Sequence, residues 1–270
     1  MLACKSYVKR SVSTTVRALD QRAYNWSTAN SMLEIGSRPI FNEDHDMFRE
    51  MVRRFFKEQI EPNHLEWDKV GHVPREIWTQ AGEFGLLGVN CSDELGGIGG
   101  DFLSSMIVAE EQQYIANSSI GWSLHSDIVL PYVEQYGTPD QQAKFIPPMI
   151  SGECITAIAM TEPGAGSDLQ GIRTFARQDG DDWILNGSKT FITNGYLCDM
   201  AIVVAITNPK AKKAAHGISL FLIEDGMEGF NKGKMLNKVG LKGKLSIFLI
   251  CLSRKGAPLC SKYHFQPIRI

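Results

Sequence analysis

Residues 154–168 read CITAIAMTEPGAGSD, and the change of texture at this point decides how the chain divides. Before Gly152 the apolar residues recur three to four positions apart, the period of a helix. From Cys154 they alternate, the period of a strand, and Gly, Pro, Asn and Asp become frequent punctuation. The sequence therefore predicts an α+β protein. An all-helical domain covers residues 41–152, and an antiparallel, barrel-like β domain follows over 153–243.

Working upstream, FNEDHDMFREMVRRFFKEQIEP (41–62) places Met47, Phe48, Met51, Val52, Phe55, Phe56 and Ile60 on one helical face, with acids at its start and Pro62 at its end. A second helix opens at Pro74 and turns Ile77, Trp78, Ala81 and Phe84 inward. The glycine-rich break GLLGVNCSDELGGIGGD (85–101) precedes helices at 102–116 and 120–136. Thr138-Pro139-Asp140 then caps and starts another. Downstream, DDWILNGSKTFITNG (181–195) reads as two strands around an Asn186-Gly187 turn. AIVVAI (201–206) and GISLFLIE (217–224) read as further strands, with the basic surface loop PKAKKAAHG between them.

The bulk numbers exclude several functions. Of the 270 residues 43% are hydrophobic, enough for a real core, and the net charge of −2 creates no field that favours nucleic acid. The longest apolar run, LSIFLICL (245–252), is far short of the roughly 20 residues that span a membrane, so no membrane span is expected. The six cysteines include no C-x-x-C pair and no zinc spacing, which reads as free thiols in a reducing compartment and no metal site. The first acid, Asp20, comes only after Lys5, Lys9, Arg10 and Arg17 in a hydroxyl-rich stretch. Residues 1–40 therefore read as a mitochondrial transit peptide and leader rather than a merely basic arm, and a matrix location is expected.

The GAGSD segment lacks the lysine of a nucleotide-binding P-loop and the third glycine of a dinucleotide fingerprint. What it offers is a bend whose bare backbone can approach a ligand, flanked by the hydroxyls of Thr161 and Ser167. A planar polar ring or a pyrophosphate would suit it. Taken alone, it reads as a plain glycine turn. Several features stay with structural readings. Glu110 and Glu111 are adjacent on a helix, so they diverge rather than converge on a metal and read as a partly solvated face. His125 reads as a packed core residue, and Trp183 as β-domain core.

MTEPGAGSD followed by NGSKTFITNG resembles the acyl-CoA dehydrogenase flavoprotein family. GLLGVNCSDELGGIGGD, YGTPDQQAKFIPPMISGE and HGISLFLIEDGMEGF resemble further blocks of that family in the same order. The resemblance covers residues 40–243 and is nearest to the mitochondrial long-chain members. It implies a helical domain, a middle β domain and a C-terminal helical bundle, with FAD lying between the last two. It implies that Ile158, Ala159, Met160, Thr161, Glu162, Pro163, Gly164, Ala165, Gly166 and Ser167 line the flavin, Thr161 at the pyrimidine edge. Phe191, Ile192 and Thr193 match the aromatic–Ile–Thr element, whose aromatic ring packs on the isoalloxazine. Many members carry Trp where this chain has Phe191. Ser167, Ala215 and His216 fall where the family contacts acyl-CoA, although His216 also reads as a solvated loop residue. Glu162 is not a catalytic residue in the family.

The implied reaction oxidises a long-chain acyl-CoA to the trans-2-enoyl-CoA, with electrons passed on to electron-transfer flavoprotein. A glutamate from the C-terminal domain removes the Cα proton. Here the resemblance gives out after NKVGLKG (237–243). Residues 244–270 read as a divergent tail: from 242 onward there are lysines and arginines but no acid. No catalytic residue can be named, because the family spacing puts the base beyond residue 270. The FAD site is expected to be incomplete, and the bundle that builds the family's homotetramer is missing. The chain is expected to be inactive by itself. The alternative is a non-catalytic fragment that binds flavin or acyl-CoA, or associates with other subunits.

Overall fold

The computed structural model describes residues 38, 40–236 and 238, and 247–251 as backbone. The leader read over 1–40 lies outside these residues except for Arg38 and Ile40, and so do residues 252–270. Two compact units divide after Met51. The first, as described, is a capped helix start. Helix α1 spans Glu43–Phe55, with Glu43, Asp44 and Asp46 in its first turn. Asn42 Oδ1 accepts the His45 N–H at 2.9 Å, which satisfies one of the donors that a helix start leaves open. The Arg49 guanidinium lies 4.8 Å from the Phe41 ring centre.

The second unit holds helices and sheet. α1 runs on into a π-helical turn, Phe56–Ile60. α2 (His64–Val70), α3 (Arg75–Glu83), α4 (Phe102–Tyr114), α5 (Leu130–Tyr136) and α6 (Pro139–Ile150) follow. Their caps are local chemistry. Asp101 accepts the Ser104 N–H at 2.8 Å to start α4. Thr138 and Gln141 close a capping box that starts α6. Among the described residues no helix is long and apolar enough to cross a membrane.

The expected apolar faces need two corrections. Val52, Phe55, Phe56 and Ile60 are buried, but Met47 is 63% exposed. Five residues from Val52 put Met47 about 140° round the helix, off the buried stripe. Phe84 is 45% exposed rather than inward. It falls after the last turn of α3, where its ring touches Phe55 (5.1 Å between centres) along one side only.

Among the described residues seven strands form one open sheet. They are β1 (Thr156–Ala159), β2 (Phe175–Asp179), β3 (Asp182–Ile192), β4 (Met200–Ile206), β5 (Ile218–Glu224), β6 (Phe230–Met235) and β7 (Ile247–Cys251). The order is β1-β4-β2-β3-β7-β6, with β5 also paired to β4. The sheet is mixed rather than antiparallel, because β1 and β2 both pair parallel to β4. It is open rather than barrel-like. β7 lies beyond residue 243, where the sequence reading ended the β domain, and it pairs with both β3 and β6.

The predicted Asn186-Gly187 hairpin is absent. β3 runs straight through those residues, with Asn186 opposite Phe175. The turn instead lies at Gly180-Asp181, where Asp179 pairs with Asp182 and Gly180 takes φ +67°. Gly187 serves another purpose: a Cβ there would lie 2.2 Å from Thr174 Oγ1. This glycine permits a close approach within a strand.

β1 does not alternate between buried and exposed; all four residues are buried. What alternates is the destination. Ile158, Ile202, Val204, Leu220 and Leu222 join a core with Val129, Leu130, Ile146 and Met149 from the helices. Ala157, Ala159, Val203, Phe221 and Ile223 join a second core on the other face, against which Trp183 packs. The helical and β parts are pinned by Arg75, which donates to Glu153 O (2.9 Å), Leu197 O (3.0 Å) and Asp199 Oδ2 (2.7 Å). His125 is fully buried at the same junction, as expected of a core residue. Its Nδ1 accepts from Thr156 N (3.2 Å) and Oγ1 (2.7 Å), and Nε2 donates to Met149 O (3.0 Å).

Candidate functional site

The chain leaves β1 at Met160 and folds a tight turn. Glu162 N donates to Ala165 O at 2.9 Å and Ala165 N to Glu162 O at 3.1 Å, so Pro163 and Gly164 form the exposed tip. Ala165 is buried, and Gly166 and Ser167 are exposed. A Cβ built on Gly164 or Gly166 would meet nothing within 4 Å. No neighbour in the chain requires these two glycines. They leave an open backbone surface to which a flat or phosphorylated ligand could come close. Thr161 is half-buried beside it. Ile158 and Ala159 are buried in the two cores, which leaves only their backbone to serve a ligand.

The second expected segment lies against the first. Thr190 N donates to Thr161 O at 2.9 Å. Lys189, the residue before, sends its ammonium to Met160 O (2.9 Å) and to Glu162 Oε1 (2.8 Å). The ion pair is out of solvent, with side chains 2% and 7% exposed. The Glu162 carboxylate also accepts the N–H groups of Arg173 (2.6 Å) and Thr174 (2.9 Å). Burial raises the Glu162 pKa, but the Lys189 ammonium and the hydrogen bonds from Thr174 and Arg173 outweigh it and hold the carboxyl below its ordinary value. Glu162 is therefore a fixed anion that ties three groups together. Its carboxylate is committed to these bonds.

Past Lys189 the strand ends in an unusual presentation. Phe191 takes φ +57°, a left-handed conformation rare for an aromatic residue, and its ring is 63% exposed. Ile192 is buried and Thr193 half-buried. The Lys189 and Thr190 bonds thus hold the segment that carries the exposed Phe191 and Thr193 next to Thr161 and the glycine turn. Ala215 and His216 are exposed in the turn Ala214–Gly217. Among the described residues no hydrogen bond joins them to the glycine turn.

Sequence reasoning missed Lys189. Its one signal was a lysine at an inward strand position between Ser188 and Thr190. Glu111 was also misread as part of a solvated face. It is 2% exposed and receives Arg53 through Nε (2.9 Å) and Nη2 (3.0 Å). Adjacent helical acids point about 100° apart, so Glu110 stays half-buried while Glu111 turns fully in and needs the guanidinium. Among the described residues no cluster of three or more His, Cys, Asp or Glu side chains could hold a metal.

Residues 42–153 match the acyl-CoA dehydrogenase N-terminal domain, and residues 157–249 match the acyl-CoA dehydrogenase middle domain. The chain belongs to the acyl-CoA dehydrogenase family. This family member is 58% identical over 217 residues to the mitochondrial long-chain specific acyl-CoA dehydrogenase of Mus musculus, covering 80% of this chain and 50% of the relative. It is 59% identical to that of Sus scrofa with the same coverage. A crystal structure of an acyl-CoA dehydrogenase from Geobacillus kaustophilus superposes with TM-score 0.76 at 44% identity, covering 78% of this chain and 56% of that one. A glutaryl-CoA dehydrogenase from Mycobacterium smegmatis in complex with FADH2 superposes with TM-score 0.73 at 29% identity, covering 78% and 53%. This family member spans about half the length of the curated relatives it matches.

Proposed function

We propose that the chain carries the flavin- and acyl-CoA-binding part of an FAD-dependent long-chain acyl-CoA dehydrogenase of mitochondrial fatty acid β-oxidation. The observation that carries this reading is the joining of two segments, Met160–Ser167 and Phe191–Thr193, into one surface by Lys189 and Thr190. The residues fit FAD. Open space over Gly164 and Gly166 admits a ligand against the backbone. The exposed Phe191 ring offers a stacking face, and the Thr161 and Thr193 hydroxyls offer hydrogen bonds to ring edges. Bound there, FAD supplies the two-electron acceptor. The protein's part is to hold the ring flat, hydrogen-bond its edges and present acyl-CoA beside it through Ser167, Ala215 and His216. The domain division at 152/153, electron-transfer flavoprotein as the final acceptor, the family homotetramer and the mitochondrial matrix location belong to the same reading. The basic leader and the mitochondrial relatives support that location.

Removing the Cα proton needs a free carboxylate within about 3 Å. At the described surface the Glu162 carboxylate is committed to Lys189, Arg173 and Thr174. This favours a second reading for the 270-residue polypeptide by itself: it binds without turning over. The test is titration with FAD, followed by flavin fluorescence and visible absorbance, and then an electron-acceptor assay with palmitoyl-CoA. Saturable FAD binding without turnover is expected. No flavin binding would overturn the first reading, and turnover would overturn the second.

A further inference from the structure

We infer that Asn194 is the positioning residue that sets Phe191–Thr193 for the flavin, an inference that rests on the FAD reading above. Asn194 takes φ +62°, so the short segment from Phe191 to Asn194 has a left-handed residue at each end. Asparagine tolerates that conformation better than most side chains. Its buried amide does more than tolerate it. Nδ2 donates to Gly121 O at 3.0 Å and to Thr156 O at 3.2 Å, so both amide hydrogens engage carbonyls, one from the helical part and one from β1. Its own carbonyl accepts from Leu197 N (3.0 Å) and Cys198 N (2.9 Å), and Gly195 N closes on Ile192 O (3.1 Å). The segment is held from both ends. Lys189 and Thr190 fix its entry, and Asn194 fixes its exit.

The space for the amide is made by a glycine. A Cβ on Gly121 would lie 1.9 Å from Asn194 Oδ1. Gly121 does not have positive φ, so its absence of a side chain answers to this contact rather than to a backbone requirement. Asn194 thereby links the start of the helix that follows Gly121 to the aromatic face. The backbone that carries Phe191 and Thr193 is thereby held from its exit as well as its entry.

The experiment compares the 270-residue chain with Asn194→Gly, Asn194→Ala and Gly121→Ala. Glycine keeps the left-handed backbone and removes only the amide. Gly121→Ala keeps the amide and evicts it, so one variant suffices should the others not fold. The readouts are FAD dissociation constant, visible bands of the bound flavin, amide hydrogen exchange over 190–195 without FAD, and thermal melting. In variants that melt like the parent, the expected result is about tenfold weaker FAD, the factor of one lost buried hydrogen bond. Shifted flavin bands and faster exchange confined to 190–195 accompany it. Parent-like exchange and flavin spectra in Asn194→Gly or Gly121→Ala would overturn the inference. If the parent chain binds no FAD, the function reading fails. Faster exchange in the variants would then still establish the anchoring, and unchanged exchange would overturn it too.

Discussion

Lys189 and Glu162 form a cross-link rather than a surface ion pair. With both groups out of solvent, removing one partner leaves an uncompensated charge inside the protein. Lys189→Met is expected to destabilise the fold by about 3–5 kcal/mol in urea unfolding. Lys189→Met combined with Glu162→Gln should cost less than the single change, because no charge is then stranded. A single-mutant loss below about 1 kcal/mol would show that water reaches the pair. His125 gives a pH signature at the same scale. Burial lowers its pKa from 6.5 to about 4, against the Met149 carbonyl bond and the Asp199 charge, which raise it. The unfolded chain takes up a proton below pH 6.5 and the folded chain does not until about pH 4. The contribution is therefore complete above pH 6.5 and is lost as pH falls from 6.5 to 4, about 3 kcal/mol over that window. Asn at position 125 should flatten the stability–pH curve there; an unchanged slope would mean His125 already protonates in the fold. His125 was legible as core from its apolar neighbours. Lys189 was not, because single-residue polarity argues for the surface and only a partner 27 positions away reverses it.

At the level of elements, what was readable was what is decided within four residues. The Thr138 cap and the paired spacing of Val52, Phe55 and Phe56 are of that kind. The β2–β3 hairpin was misplaced for the opposite reason. Asn-Gly is a strong turn signal, but strand register overrode it, and the turn moved to Gly180-Asp181. The two glycines should therefore respond differently to alanine. Gly187→Ala drives a methyl into Thr174 and is expected to cost about 1–3 kcal/mol as overpacking. Gly180→Ala meets no neighbour and carries only the left-handed backbone penalty of about 1–2 kcal/mol. Thermal melts distinguish them when Thr174→Gly is added, which removes the two side-chain atoms nearest to Gly187: relief should appear for Gly187→Ala alone.

At the scale of the whole molecule, the order of a helical part followed by a β part was read from periodicity. The pairing of strands was not. β1 and β4 are parallel neighbours separated by 40 residues, and period two reveals only that a strand exists, not its partner. The candidate site inherits this limit: its two segments were legible as motifs, and their union depends on long-range bonds from Lys189 and Thr190. Global integrity can be read from three buried thiols, Cys91, Cys154 and Cys198. Burial, first among the causes, pushes their pKa values up to about 11, 12 and 12. Native protein at pH 8 should label at none of these three with a thiol reagent, and all three should label together as urea unfolds the chain. Early labelling of Cys198 alone would indicate that the β part opens separately.

The burial of Lys189 also bears on chemical self-damage. Acyl-CoA thioesters are electrophiles, and an amine held beside the proposed ligand would in time be acylated by it. Lys189 is ion-paired and closed to solvent, whereas Lys210, Lys212 and Lys213 stand exposed on the loop before β5. The amine that organises the site is thus the one the proposed substrate cannot reach. Adventitious acylation would collect on the outer loop, where a lost charge changes nothing that holds the turn together.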